Sequence, residues 1–434
     1  MKIKKLLSTI MALAVTTTML AGCGNSGEAE QTSGSNTEEN KLVVWCWDQS
    51  FNGAALKIAE EIYKKDNPDF NLEIVDMSKT DLEQKLNTNL VSGVTTGLPD
   101  IILANDTNIA KYINSYEGCF LDLSGKINYD DFSKYKVDSV TIDGKQYGVP
   151  FDIGSAGMFY RRDYIEEAGF KPEDLENITW ERFIEIGKVV KEKTGKDMIT
   201  VNPNDDTLIP IILNSAGTWF TTEDNKPNFV GNEALKEALK VFKELSTCGI
   251  GKPVTGWSEF VGSFNNGDVA TVISGVWQIS TIMDAEDQSG KWGVAPIPRL
   301  SNIEGAKNAS NEGGSSWMVL ESSKSQDLAI DFLAKTIGGS DELYSRFLTE
   351  NGGVGSYTKA FESEAYSKEI EFFGGQKVYQ IFSEWSKEVP GITIGMYTQE
   401  AKDALKTEFS NIVNGGDIDK SLEAMQSLFE QQVQ

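Results

Sequence analysis

Histidine is absent from this 434-residue chain. Its absence removes the commonest general base and the commonest zinc ligand of proteins, and it excludes Ser-His and Cys-His nucleophilic chemistry. Cysteine is scarce, with four residues and no CxxC spacing. We therefore expect neither a metal site nor a cofactor. We interpret Cys46, Cys119 and Cys248 as small apolar residues with at most one disulfide among them.

Basic residues are also few, with 40 Lys and Arg against 65 Asp and Glu, which gives a formal charge of -25. Nucleic acid is not an expected partner, because phosphate contacts need clustered Lys and Arg and clusters such as Arg161-Arg162 are short. The same acidity repels anionic lipid head groups. Any attachment to a membrane must therefore come from something other than a basic surface.

The N-terminus supplies such an attachment. Lys2, Lys4 and Lys5 precede an uncharged apolar run over residues 6–20, which is shorter than the roughly 20 residues that a membrane-spanning helix needs. The run ends at Leu20-Ala21-Gly22-Cys23, which resembles the bacterial lipobox. Residues 1–22 are thus predicted to be a lipoprotein signal peptide, and Cys23 the lipidated new N-terminus. The alternative is an ordinary secretory signal followed by a chance cysteine.

A polar segment follows the predicted lipidation site. Between Gly24 and Asn40 the only apolar side chain is Ala29, so this stretch cannot bury enough surface to order itself. Residues 23–40 are predicted to be a flexible tether. The rest of the chain is long enough for two or three domains of about 150 residues each.

Strands and helices alternate after the tether. A Val- and Trp-rich strand over residues 42–47 precedes a helix whose apolar positions recur with helical spacing from Ala55 to Tyr63. Further strands are predicted at 72–75 and 100–104, with a helix between them. A βαβαβ order indicates an α/β fold with a mostly parallel sheet covered on both faces.

Several segments occur in the order found in a known family. The chain resembles the family 1 extracellular solute-binding proteins, which include the maltose-binding protein, over nearly all of residues 41–434. The segments that carry the resemblance are Gly97-Leu98-Pro99-Asp100, residues 143–150, Phe159-Tyr160-Arg161-Arg162-Asp163, residues 167–170, residues 179–183, residues 266–270, Ser274-Gly275-Val276-Trp277, residues 293–298 and Gly313-Gly314-Ser315-Ser316-Trp317.

The resemblance implies a class II two-lobe fold with a ligand cleft between the lobes. It predicts three crossings, which we place near Phe151, Trp292 and Gly338. The N-terminal lobe would then comprise residues 41–151 and 292–337, and the C-terminal lobe residues 152–291 and 338–434. Glycines near the third crossing suit a hinge.

The resemblance also implies a function. The protein would be a monomeric carbohydrate receptor and not an enzyme. It would deliver its ligand, which we interpret as an oligosaccharide, to the permease subunits of an ABC importer. It would be held by its lipid at the outer face of the cytoplasmic membrane of a Gram-positive bacterium.

Tryptophan is the residue type that a sugar site needs, because the apolar face of a pyranose packs on an aromatic ring. Trp47 and Asp48 end the first strand, where open α/β sheets present ligands. Trp277 matches the family's stacking position. The remaining candidates are Asn105, Asp106, Asp152, Trp219, Trp257 and Trp317, and each has a competing interpretation as a packing or solvated loop residue.

Two other functions remain open. A glycoside hydrolase needs only paired carboxylates and no histidine. A binder of a polyamine, a peptide or a metal chelate would also suit the acidity of the chain.

Overall fold

The computed structural model describes residues 40–202 and 207–433. The predicted signal peptide, Cys23 and residues 23–39 of the predicted tether lie outside the described residues. In the described ranges, no helix combines the length and apolarity needed to cross a bilayer.

Thirteen strands lie within the described ranges. They are β1 Lys41–Cys46, β2 Asn71–Asp76, β3 Ile101–Asn105, β4 Thr141–Ile142, β5 Lys145–Gln146, β6 Val149–Pro150, β7 Ser155–Arg161, β8 Ile199–Val201, β9 Gly251–Pro253, β10 Thr271–Gly275, β11 Trp292–Ala295, β12 Ser310–Asn311 and β13 Ser315–Val319.

Fifteen α-helices occupy the same part of the chain. They are α1 Asn52–Tyr63, α2 Lys79–Ser92, α3 Asp106–Ser115, α4 Lys134–Val140, α5 Arg162–Glu167, α6 Trp180–Thr194, α7 Leu208–Ser215, α8 Glu233–Thr247, α9 Trp257–Asn265, α10 Ile279–Met283, α11 Gln326–Lys335, α12 Asp341–Asn351, α13 Val378–Glu388, α14 Thr398–Val413 and α15 Ile418–Gln432.

The first lobe is built on a five-stranded sheet in the order β2-β1-β3-β13-β6. Strand β1 is parallel to β2 and β3, whereas β13 is antiparallel to β3 and β6. Helices α1 and α2 connect the parallel strands and α3 follows β3, so the predicted βαβαβ beginning is confirmed.

The second lobe is built on β7, which is buried along its whole length and pairs antiparallel with β10, β11 and β12. Helix α6 shows how local sequence fixes an element here. Thr179 caps it by accepting a hydrogen bond from the amide of Arg182, and Gly195 ends it in the left-handed conformation. Trp180, the first residue of this helix, is fully buried.

The second crossing differs from its predicted place near Trp292. Val294 pairs with Phe159 of β7, and β12 then adds to the same sheet. The chain enters the first sheet only at β13, so it passes between the lobes at residues 312–314. Prolines end β11, as the sequence indicates, but the chain stays in the second lobe because its next strand also pairs with β7.

The third crossing also differs from its predicted place near Gly338. The amide of Gly338 donates to Leu333 at 2.7 Å, which ends α11 without leaving the lobe. Helix α12 then packs on α1 in the first lobe, with Phe347 and Phe51 ring centroids 4.8 Å apart. The chain reaches the second lobe after Tyr357, before residues 371–373 lie against β11.

The three crossings, which we call passages, lie side by side, and the first runs from β6 of the first sheet to β7 of the second. Glu312 of the second passage donates its amide to the carbonyl oxygen of Gly154 at 2.6 Å, and Ser356 donates to Phe151 at 2.7 Å. A Cβ atom on Gly154 would lie 2.5 Å from the Glu312 carbonyl oxygen, so only glycine permits this approach.

The three cysteines in the described ranges are all free, and Cys46 is buried in the first lobe.

Candidate ligand-binding cleft

A cleft of about 760 Å³ opens between the lobes, with the passages at its floor. Its size falls within the range of small-molecule sites. The lining residues are Trp47, Asp48, Ser50, Phe51, Asn52, Asn105, Glu350 and Asn351 from the first lobe, Asp152 and Glu312 to Ser315 from the passages, and Trp257, Trp277, Ser280 and Thr281 from the second lobe.

Two tryptophans form the wall on the second lobe. Trp257 begins α9 and is 56% exposed, whereas Trp277 follows β10 and is half-buried. Their ring centroids are 6.1 Å apart with an interplanar angle of 34°. The indole nitrogen of Trp277 donates to the carbonyl oxygen of Glu312 at 3.1 Å, which fixes that ring against the second passage. Both predicted tryptophans therefore line the cleft.

A smaller cavity of about 330 Å³ adjoins this wall and shares Trp257, Trp277 and Glu312 with the cleft. Its other lining residues come from β8, α7, β10 and the segments beside them, and include Ile199, Val201, Leu208, Val254 and Ile273. The two tryptophans therefore contribute to both cavities.

The opposite wall comes from the turn after β1. Asp48 has a left-handed backbone (φ 61°), and its Oδ1 accepts hydrogen bonds from the amides of Ser50 and Phe51 at 3.2 and 3.1 Å. The Asn52 side chain donates to the Trp47 carbonyl oxygen at 2.8 Å. These bonds hold Trp47 and Asp48 at the mouth of the cleft, where both were predicted.

The polar pair after β3 divides between two roles. Asn105 lines the cleft while capping α3, its Oδ1 accepting the amide of Thr107 at 3.2 Å. Asp106 is only 4% exposed and does not line the cleft. It forms an ion pair with Lys136 and accepts the Ser316 hydroxyl at 2.8 Å. The prediction of Asp106 as a ligand contact is therefore corrected, because both its oxygens have buried partners.

Asp152 lies on the floor of the cleft in the first passage and is 8% exposed. Its Oδ1 accepts the amide and the hydroxyl of Ser315 at 2.7 and 2.5 Å. Burial raises the pKa of Asp152 above its usual range, against the opposing charge of Lys136, and burial likewise raises the pKa of Asp106.

Two predicted tryptophans lie elsewhere. Trp317 has no exposed surface, because β13 places it inside the first sheet against Phe151, at a centroid distance of 5.6 Å. Its prediction as a site residue is corrected. Trp219 is 6% exposed and donates to Thr398 at 3.1 Å. It lines two neighbouring cavities, of about 130 and 750 Å³, rather than the cleft.

Sequence reasoning missed Glu312 and Asn351. Glu312 Oε2 accepts the Ser274 hydroxyl at 2.8 Å and the Gly275 amide at 2.7 Å, so it joins the second passage to the end of β10. Its place directly before Gly313-Gly314 was the available signal. Asn351 reaches the cleft because α12 packs on α1, which no local pattern reveals.

Two α/β lobes that enclose an aromatic and polar cleft, with three passages at its floor, define a receptor of the two-lobe solute-binding class. Residues 59–374 match the family described as bacterial extracellular solute-binding protein, and the chain belongs to this family. The resemblance drawn from the sequence is thereby confirmed.

Among characterised relatives, a lactose-binding protein of Rhizobium radiobacter is 46% identical, over 91% of this chain and 93% of its own. An arabinooligosaccharide-binding protein of Bacillus subtilis is 28% identical over 77% of each chain. Both relatives are named as binding proteins.

Solved structures share the fold. The GacH receptor of Streptomyces glaucescens, known unliganded and with acarbose, superposes with a TM-score of 0.74 at 18% identity, over 90% of this chain and 97% of its own. A binding protein from B. animalis subsp. lactis, in complex with beta-1,6-galactobiose, gives 0.70 at 24% identity, over 91% of this chain and 98% of its own.

Proposed function

We propose that this protein captures a carbohydrate of disaccharide or short oligosaccharide size in the cleft and delivers it to the permease of an ABC importer. The observation that carries the proposal is the pairing of the Trp257–Trp277 wall with a floor and opposite wall of carboxylates and amides. Aromatic rings suit the apolar face of a pyranose, and carboxylate and amide oxygens suit its hydroxyls.

Lactose is the first ligand to test, because the relative that is 46% identical over 91% of this chain is a lactose-binding protein. Arabinooligosaccharides, maltooligosaccharides and galactooligosaccharides follow from other relatives. A thermal-shift screen over this panel, followed by calorimetric titration of the hits, tests the proposal, because a ligand bound only by the native state raises the melting temperature. A panel without any shift would contradict it.

A cationic ligand is the second candidate, favoured by a specific feature of the cleft. Asp48, Asp152, Glu312 and Glu350 line it, and no lysine or arginine belongs to its lining among the described residues. The salt dependence of the affinity distinguishes a polyamine from a neutral sugar, because added salt weakens binding between charges and leaves neutral contacts nearly unchanged.

Because a glycoside hydrolase needs only paired carboxylates, the same four residues make hydrolysis of the ligand an outcome to test. We propose that the protein leaves its ligand intact, in line with a family of binding proteins. Prolonged incubation with lactose followed by chromatography decides between the two, because a hydrolase would release monosaccharides.

We further propose that the receptor is a monomer held at the outer face of the cytoplasmic membrane by lipid on Cys23. Relatives named solute-binding lipoproteins support the anchor. Retention of the protein in a detergent-soluble membrane fraction tests it.

A further inference from the structure

A buried cluster of charges lies beneath the cleft. Lys136 of α4 has no exposed side-chain surface, and Asp106 and Asp152 are almost as deeply buried. The Lys136 ammonium pairs with Asp106 and donates to the carbonyl oxygen of Ser315 at 2.8 Å. Asp106 is in turn held by the hydroxyl of Ser316. The cluster therefore joins α3, α4 and the start of β13.

Ser315 connects Lys136 to the floor of the cleft. Its carbonyl oxygen accepts from Lys136, while its amide and hydroxyl donate to Asp152 Oδ1 at 2.7 and 2.5 Å. Gly314 permits this approach, since a Cβ there would lie 2.7 Å from Asp106 Oδ2 and 3.0 Å from Lys136 Nζ, at a φ of +99°. Ser315, the first residue of β13, thus relays the position of a buried cation to a carboxylate that lines the cleft.

The charges in the cluster do not balance, because two carboxylates face one ammonium group. Burial raises the pKa of both carboxyl groups, and the charge of Lys136 opposes that rise. The other ionisable groups that face the cluster are Tyr135 of α4 and Tyr344 of α12, both of which burial keeps protonated by raising their pKa. Lys136 is therefore the cation on which the ionised form of Asp152 depends.

We propose that Lys136 is a positioning residue for ligand capture, which acts through Ser315 to hold Asp152 toward the cleft, with Asp106 as the counter-charge that keeps Lys136 in place. The inference rests on the proposed function, because it takes Asp152 to accept a hydrogen bond from a ligand hydroxyl.

The test is Lys136→Met in the full chain, titrated with lactose at pH 8 and pH 6. We expect affinity to fall about 10- to 100-fold at pH 8, the range for loss of a hydrogen bond that orients a charged group. Where the raised pKa of Asp152 allows the carboxylate to take up a proton, the deficit should shrink, because protonation removes the charge that methionine leaves uncompensated.

The matched control is Arg161→Met, which removes a buried cation of the second lobe that binds Asp163 and Gln288. This variant should lose stability and keep wild-type lactose affinity at both pH values. Wild-type affinity in Lys136→Met at both pH values would overturn the positioning role.

A second variant covers failure of Lys136→Met to fold. Lys136→Met/Asp106→Asn removes the ion pair as a unit and should fold more readily than the single variant, because Asp106 is no longer left charged and unpaired and only the charge of Asp152 remains uncompensated. It should still bind lactose weakly, since the Ser315 carbonyl oxygen has lost its donor; wild-type affinity would refute the proposal.

Failure of the proposed function gives a different result, in which the wild type itself binds no sugar. The melting temperature without ligand then tests Lys136 by itself. A carboxyl pKa raised in the folded state stabilises at low pH, and this stability is lost as the pH rises through it. As the pH rises through that pKa, Lys136→Met should therefore melt progressively further below the wild type, and a deficit that does not grow with pH would overturn the inference.

Discussion

Trp257→Ala gives the sharpest test of the cleft, because this ring is large, exposed and placed on the wall. The side chain is 56% exposed, and its main ring neighbours are Phe260 at 5.5 Å and Trp277 at 6.1 Å. Full burial of a large apolar side chain contributes about 1.5–3 kcal/mol. Since less than half of that burial exists in the free protein, the variant should lose less than about 1.5 kcal/mol of unfolding free energy.

The ligand is expected to cover the exposed part of the ring. Slightly more than half of the burial range, together with about 0.5–1.5 kcal/mol for the geometry of ring stacking, gives about 1.3–3.2 kcal/mol. This corresponds to a loss of about 10- to 200-fold in affinity. Calorimetric titration and thermal unfolding of the same variant measure the two quantities separately.

Trp180→Ala is the control, because Trp180 is fully buried in the second lobe and does not line the cleft. It should lose about 3–5 kcal/mol of stability while its folded fraction binds normally. Trp257→Ala with wild-type affinity for every ligand of the receptor would refute the assignment of this wall.

Three further expectations concern the anchor and the lobes. Cys23→Ala should shed the folded protein into the medium or stall its processing, and a wild-type amount in the membrane fraction would contradict lipidation. Saturating ligand should lower the radius of gyration measured by small-angle scattering, because only closed lobes make both sets of contacts; an unchanged value argues for a preclosed receptor. The Lys111–Glu400 pair joins α3 to α14 at 2.8 Å with both side chains partly exposed, so Lys111→Ala should weaken binding by at most about fivefold. High salt should abolish the difference, and a larger or salt-resistant effect would mean that Lys111 acts by another route.

The α/β class could be predicted because its signals are local. The strand at Lys41–Cys46 and the helix at Asn52–Tyr63 carry their own periodicity, and the order of such elements implies parallel pairing. Helix ends were also readable, since Thr179 and Gly195 act within one turn of themselves. These interactions need no knowledge of the rest of the chain.

The lobe boundaries could not be predicted in the same way. The sequence of Trp292–Ala295 predicts a strand but does not show which sheet the strand joins. The sheet is decided by pairing with Ser155–Arg161, more than 130 residues earlier. Gly338-Gly339 suggested a hinge, yet the same pair also suits the end of a helix that remains in its lobe. A glycine pair indicates that the backbone turns, but it does not show which lobe the chain enters next.

The same distinction between local and long-range interactions applies to single side chains in the candidate site. Trp277 and Trp317 both follow glycines, and both were predicted to line the sugar site, Trp277 because it matches the family's stacking position. Trp277 leaves β10 at its end, where a side chain can reach the cleft, whereas Trp317 is the central residue of β13 with strands on both sides. The position of each tryptophan along its strand therefore decides whether its ring reaches the cleft. That position cannot be read from the sequence, because it depends on where the partner strands begin. Glu312 joins the passage before β13 to the end of β10 and thereby connects the aromatic wall to the floor of the cleft. Its role could not be predicted from the sequence, because these contacts exist only after both sheets have formed.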